Sequence, residues 1–96
     1  MDERTIVTLT MGQTADALGL QVMFIGGTTM WYGQDKPPKG AVALNFTHDG
    51  QAEPVSIVGQ ESWESEHEVM GFRYRILSPY QRDLKELELE VSRSVH

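Results

Sequence analysis

His67 and Met70 form an H-x-x-M pair, and Trp63 lies four residues before the histidine. Imidazole and thioether groups suit Cu(I), and an indole ring can cover a soft cation. Three further side chains could complete such a site: Met23, Met30 and Trp31. On a strand, however, His67 and Met70 would point to opposite faces, and methionine commonly fills gaps in a core. The sequence therefore predicts no metal site, and copper handling is kept as the alternative function.

The segment around this pair is acidic and contains four glutamates that could bind a hard cation: Glu61, Glu64, Glu66 and Glu68. Calcium takes several carboxylate oxygens, but a dedicated calcium loop also needs Asp, Asn and Gly at a fixed spacing, which this segment lacks. Three of the glutamates alternate with other residues, which favours a strand over residues 61–70 with a solvated acidic face.

Trp31 and Tyr32 come shortly before a loop that contains the pair Pro37-Pro38. Neighbouring residues in a strand face opposite sides, so one of the two rings is expected to be exposed. An exposed aromatic ring beside a rigid loop can bind a peptide or a sugar. The other interpretation places one ring in the core and the second ring over it. We predict Trp31 and Tyr32 as the ligand-binding residues.

Signatures of catalysis are missing from the sequence. The chain has no G-x-S-x-G elbow, no H-E-x-x-H motif and no glycine-rich phosphate loop before a helix. It has no cysteine that could act as a nucleophile. His48 lies in a predicted turn and His96 at the end of the chain, so both are poorly placed as general bases. We predict that the protein is not an enzyme and uses no cofactor.

The composition indicates one acidic domain over residues 1–96, with 40% hydrophobic residues. The net charge of −6 argues against nucleic acid, which requires clustered Lys and Arg. No apolar window reaches the roughly 18 residues of a membrane span, so no membrane insertion is expected. The first residues are polar and do not resemble a signal peptide. We expect a periplasmic or secreted protein if such a peptide was removed, and a cytoplasmic one otherwise.

Residues 71–77 are the clearest strand, because large apolar residues at 72, 74 and 76 alternate with Arg73 and Arg75. Further strands are predicted at residues 4–10, 20–25, 41–47, 52–58 and 61–70. Glycines 26 and 27 are expected to end the strand before them. The pair Asp49-Gly50 readily adopts positive φ, so it predicts a tight hairpin turn.

Two segments are ambiguous. Residues 14–18 could form one short helical turn or a short edge strand, and the sequence leaves both open. Residues 84–91 have the composition of a helix but the alternation of a strand, and we predict the strand. About seven short antiparallel strands then indicate an all-β fold, a β-sandwich of the Ig-like or Greek-key type.

The last two predicted strands can pair as a hairpin across a loop at residues 78–83. Matching the apolar residues places Phe72 opposite Leu89, and the same register places Arg75 opposite Glu86. One register would then satisfy the buried face and the charged face together. We predict this pairing.

The chain carries a series of strand and turn motifs in a fixed order: VTL at residues 7–9, GQT at 12–14, GLQVMF at 19–24, GAVAL at 40–44 and GFRYRILSP at 71–79. In this order the chain resembles small bacterial secreted or lipoprotein-type β-sandwich domains of unassigned function. Such domains often carry a cysteine pair before the middle strand, and this chain has no cysteine. The resemblance implies a non-catalytic envelope domain and carries over no functional residue.

These observations predict a binding or structural module that interacts with a protein partner or with itself. Residues 20–25 are apolar on both faces of the strand, and Met30-Trp31-Tyr32 is bulky. Together they hold more apolar surface than one small core readily hides. We expect weak self-association or a homodimer.

Overall fold

The computed structural model describes residues 3–81 and 84–93 and shows an all-β sandwich. The elements are, in chain order, β1 (Arg4–Thr10), β2 (Thr14–Ala17), β3 (Leu20–Met30), β4 (Lys39–His48), β5 (Gln51–Val58), α1 (Gln60–Glu64), β6 (His67–Val69), β7 (Phe72–Ile76) and β8 (Glu86–Arg93). Sheet A has the strand order β1-β8-β7-β6, and sheet B has the order β2-β3-β4-β5, both antiparallel. The predicted all-β sandwich is confirmed, with eight strands among the described residues where the sequence predicts about seven.

The core lies between the two sheets and is built by the alternation of each strand. In β7 the three apolar residues are buried and the two arginines are exposed, as predicted. Phe46 of β4 and Tyr74 of β7 pack ring to ring across the sandwich, with their centroids 4.6 Å apart. The described residues bury no charged or polar side chain. Hydrophobic burial between the sheets is therefore the main source of stability.

β3 does not end at its glycines, so that prediction is wrong. The strand continues to Met30 through a β-bulge, because Phe24 pairs with Leu44 and Gly26 with Ala43, which leaves Ile25 without a partner. The extra residue reverses which positions face inward beyond the bulge. Glycine often ends a strand, but Gly26 and Gly27 here accommodate a bulge and a close approach of another backbone segment.

The helix is not where the sequence suggested. Residues 14–17 form the edge strand β2 and no helical turn, and the helix α1 overlaps residues 61–70, for which the sequence predicts a strand. The chain must cross from β5 in sheet B to β6 in sheet A at this point. A single helical turn makes that crossing and buries Trp63, which is 1% exposed. The alternation of residues favours a strand here, but burial of the indole stabilises the helical turn instead.

β7 and β8 pair as predicted but in a different register. Phe72 lies opposite Arg93 and not opposite Leu89, a shift of four residues along β8. Tyr74 then faces Val91, so apolar residues still meet. Residues 84–91 are a strand rather than a helix from Glu86 onward. Residues 82 and 83 of the predicted loop lie outside the described residues.

Three hairpin turns share one conformation, the first of them at Leu18 and Gly19 between β2 and β3, with φ of 58° and 89°. Asp49 and Gly50 have φ of 50° and 78°, which confirms the turn predicted between β4 and β5. Met70 and Gly71 have φ of 45° and 82° and join β6 to β7 in the same way. Two consecutive residues with positive φ match the right-handed twist of the flanking strands.

Candidate functional site

The largest exposed apolar side chains in one stretch of chain are Met30, Trp31 and Tyr32, which are 38%, 70% and 46% exposed. We call these three residues the aromatic tip. Met30 is the last residue of β3, and both rings follow it. The interpretation that one of the two rings belongs to the core is wrong, because both rings lie at the surface.

The ends of β3 and β4 explain why both rings are exposed. The ladder between these strands stops at the pair Met30–Lys39, so no strand continues to hold residues 31–38. Pro37 and Pro38 have no N–H to donate to a ladder, and the chain turns at Gly33, whose φ is 122°. The rings therefore project from the end of a hairpin and do not alternate between the faces of a sheet.

Lys39 lies beside the tip and makes it locally cationic. Its ammonium group is 5.5 Å from the centroid of the Tyr32 ring, a cation–π contact. Residues 31–39 contain Lys36, Lys39 and Asp35, which gives this stretch a charge of +1 in a protein of net charge −6. The tip is thus apolar and weakly positive on an acidic molecule.

Trp63 and Tyr80 hold the base of the hairpin that carries the tip. The indole Nε1 of Trp63 donates to the carbonyl oxygen of Ser78 at 2.9 Å, and the ring of Tyr80 packs edge-on against the indole at 5.3 Å. The hydroxyl oxygen of Tyr80 accepts a hydrogen bond from the backbone N–H of Gly40 at 2.7 Å. The tip is therefore carried by an anchored β-hairpin. No pattern in the sequence indicates that a tyrosine in the predicted loop at residues 78–83 closes this end of the sandwich.

The side chains considered as copper ligands are engaged elsewhere or lie on different sheets. His67 uses Nε2 to donate to the carbonyl oxygen of Ser62 at 2.7 Å, and its ring stacks on Tyr74 at 5.2 Å. Met70 follows β6 in sheet A, whereas Met23 and Met30 belong to β3 in sheet B. Trp63 lies in the core and does not cover a cation.

The acidic residues of this region are also dispersed. Glu61 and Glu64 belong to α1, while Glu66 lies 3.9 Å from the guanidinium of Arg73. Within residues 3–81 and 84–93, no three His, Asp or Glu side chains come close enough to hold a metal ion. The same residues form no detectable pocket. His96 lies outside them.

Tyr74 is the one described side chain with a large pKa shift. Burial between the sheets raises the pKa of its phenol to about 12, and the negative charge of Glu53 acts in the same direction. The ring is 4% exposed and packs between Phe46 and His67. The phenol therefore stays protonated at every physiological pH. Tyr74 is a core residue and is not placed to act as a general base.

Comparison of the chain with protein-family models, with curated protein sequences and with solved structures finds no match. None of the described helices has the length and apolar character needed to cross a bilayer.

Proposed function

We propose that the protein is a non-catalytic binding module whose aromatic tip docks into an apolar pocket on a protein partner. The observation that supports this most is the exposure of Trp31, 70% of whose surface is in contact with water. A folded protein gains stability by burying tryptophan, and this chain buries its other one, Trp63. An exposed tryptophan at the end of an anchored hairpin is typical of an interaction site.

The chemistry of the tip suits a protein surface. Trp and Tyr are enriched among the residues that dominate binding energy, since each buries a large area with few rotatable bonds. Tyr32 is held by Lys39, which restricts the ring before a partner arrives. A ring that is already ordered loses less conformational entropy when it binds, so the free energy of binding is more favourable.

The charge of the tip restricts the partner further. A net charge of −6 repels acidic surfaces at long range, but the residues beside the tip sum to +1. A partner with an apolar pocket and a few carboxylates around it is therefore favoured at this end of the molecule. The binding is expected to weaken as salt rises because the charged groups are exposed.

A phage-displayed library of random peptides, selected on the immobilised protein, tests this proposal. We expect enriched peptides with aromatic or acidic residues whose binding falls by about thirtyfold in Trp31→Ala, because central aromatic residues contribute about 2 kcal/mol or more. Met11→Ala is the control, since Met11 is 47% exposed, close to the 46% of Tyr32, but lies in the turn after β1. Enriched peptides that bind Trp31→Ala and Tyr32→Ala as well as the wild type would contradict the proposal.

Copper handling is the alternative, and the described geometry supports it less because the candidate ligands lie on different sheets. A Cu(I) titration read by tryptophan fluorescence separates the two functions. Saturable quenching at one equivalent that is lost in His67→Ala would favour the alternative. A linear, unsaturated response would favour the binding module.

A further inference from the structure

The outer edge of β1 presents backbone groups that no other described residue uses. β1 pairs with β8 through its odd-numbered residues: the carbonyl oxygen of Glu3 accepts from the N–H of Arg93, and the N–H of Met11 donates to Lys85, both at 3.1 Å. Because hydrogen-bonded and non-bonded pairs alternate in an antiparallel ladder, the even-numbered residues direct their N–H and C=O groups away from β8.

Only three of these positions are left open on the described edge. Both backbone groups of Thr10 are used locally, because its N–H donates to the side chain of Gln13 and its carbonyl oxygen accepts from the N–H of Gln13. Arg4, Ile6 and Thr8 have no such partner among residues 3–81 and 84–93. Each offers one donor and one acceptor in strand geometry.

The other three edge strands are protected against pairing. β2 and β6 have four and three residues, and each carries a carboxylate, Asp16 or Glu68. In β5, the N–H of Gly59 donates to the carbonyl oxygen of Gly40, so the odd-numbered residues of β5 bond to β4. Pro54 is therefore one of the residues whose backbone groups point away from β4. Because proline has no N–H, it interrupts the row of donors along this edge. β1 has seven residues with no Pro, Gly, Asp or Glu. Apart from the charge of Arg4 at its first position, β1 lacks the features that natural sheets use to block an edge.

We propose that a second copy of this chain pairs with β1 about a two-fold axis at Ile6, joining the two A sheets into one continuous antiparallel sheet. In this register Ile6 lies opposite Ile6 of the partner, and Arg4 lies opposite Thr8 of the partner. The three open residues of each copy then meet those of the other, and every open donor finds an acceptor. A register centred on Val7 would instead use Thr10, whose groups are already bonded.

The side chains beside this edge are also complementary. Ile6 is 55% exposed on the outer face of sheet A, and the two-fold axis brings it against its own copy. Arg4 of the partner would lie next to Thr8, which pairs with Glu88 on its other side. Among the described residues neither Arg4 nor Glu88 has an ion pair of its own. The pairing thus covers an exposed isoleucine and brings an unpaired arginine towards an unpaired glutamate.

The proposed interface is separate from the aromatic tip and does not rest on the function proposed for it. Edge pairing of one strand buries little area, so the dimer belongs to the weak size class of interfaces. Trp31→Ala should leave the dimer unchanged, and substitutions in β1 should leave peptide binding at the tip unchanged. Failure of one proposal is therefore visible without failure of the other.

Sedimentation equilibrium over a wide concentration range, with the wild type and two variants of one position, tests the pairing. Thr8→Pro removes an N–H that points away from β8, so the pairing of β1 with β8 does not use it. Pro54 occupies an equivalent position in β5. The substitution should weaken dimerisation about tenfold or more, because each dimer loses two hydrogen bonds. Thr8→Val keeps the N–H and should dimerise like the wild type. A wild type that stays monomeric at millimolar concentration overturns the proposal.

A cysteine cross-link gives a second test that does not depend on Thr8→Pro folding. The chain has no cysteine, so Ile6→Cys introduces its only thiol. Opposed residues of a hydrogen-bonded antiparallel pair have Cα atoms about 5.5 Å apart, within the range of a disulfide. Ile6→Cys should form a covalent dimer at least about tenfold faster than Thr28→Cys, which lies on sheet B. Equal rates, or a faster reaction of Thr28→Cys, would overturn the proposal.

Discussion

Tyr74 holds its phenol between the sheets, where burial raises the pKa to about 12, with a smaller contribution from Glu53. The unfolded chain titrates this group near 10, so the folded state keeps the proton over a range in which the unfolded state loses it. The resulting stabilisation is complete below pH 10 and is lost as the pH rises to 12. We expect it to amount to on the order of 2–3 kcal/mol of unfolding free energy.

Chemical denaturation at pH 9 and pH 11.5 measures this loss, with Tyr74→Phe as the matched control. The phenylalanine keeps the ring contact with Phe46 but has no proton to lose. Its unfolding free energy should therefore fall less than that of the wild type between the two pH values. An identical decline in both proteins would show that other groups cause the alkaline instability.

Gly27 of β3 lies unusually close to the backbone of Leu84. A Cβ atom at this position would lie 2.6 Å from the backbone nitrogen of Leu84 and would also overlap its carbonyl oxygen. At the neighbouring Gly26 a Cβ would meet only the flexible side chain of Met11, at 3.7 Å or more. Backbone atoms cannot rotate out of the way as a methionine can.

Gly27→Ala should consequently lower the unfolding free energy by about 1–3 kcal/mol, the usual cost of overpacking, and Gly26→Ala should change it far less. Thermal or urea unfolding of the two variants decides the matter. Equal stability of the two alanine variants would mean that the segment at Leu84 does not lie over β3.

The register between the strands β7 and β8 can be tested through the ion pair that it creates. Arg75 lies opposite Glu90, with the guanidinium 3.6 Å from the carboxylate. Both groups are partly exposed, so a double-mutant cycle between them should give a coupling of only about 0.2–1 kcal/mol. The same cycle between Arg75 and Glu86, the pair that the sequence predicted, should give no coupling within error. Coupling to Glu86 alone would restore the predicted register.

The sequence could not determine this register, for a reason that lies in the period of a strand. A shift of four residues is even, so it keeps the leucines and Val91 of β8 on the core face and its three glutamates on the outer face. The choice is made by contacts beyond the hairpin. Ser78 is held by the indole of Trp63, and its hydroxyl accepts from the N–H of Glu88. β8 also pairs along its other side with β1.

At the scale of the whole molecule, the outer faces of the two sheets differ in chemistry. The outer face of sheet A carries the arginines of β7 and the glutamates of β8. These charged side chains lie beside one another on adjacent strands. The outer face of sheet B presents small or uncharged pairs: Met23 with Asn45, Thr28 with Ala41, and Ala43 with Ser56. The charged side chains of the strands are therefore concentrated on sheet A, where arginines and glutamates occur together, while sheet B has few.

The two proposed interfaces lie on different parts of this architecture. The aromatic tip projects from the β3–β4 hairpin of sheet B, whereas the open edge of β1 belongs to sheet A. One molecule could therefore pair with its copy and still present a tip on each protomer. Two linked tips would bind a repetitive partner with higher avidity than one tip.

The sequence by itself determined the class of the fold and the faces of most strands. Period-two alternation decides which side of a strand is buried, and this rule placed β7, β4 and the strand character of β8 correctly. It determined the turn at Asp49-Gly50 because only a few residue types accept positive φ. It also indicated Trp31 and Tyr32 as exposed candidates, although it allowed that one of them lay in the core.

Only the tertiary structure decided the features that depend on distant contacts. The helix at Trp63 forms because a chain that crosses between sheets must bury an indole there, which no local period reveals. The bulge at Ile25 and the register of β8 depend on how neighbouring strands pair. The open edge of β1 is likewise a property of strand order, since a sequence of β-branched residues does not state which of its two sides has a neighbour.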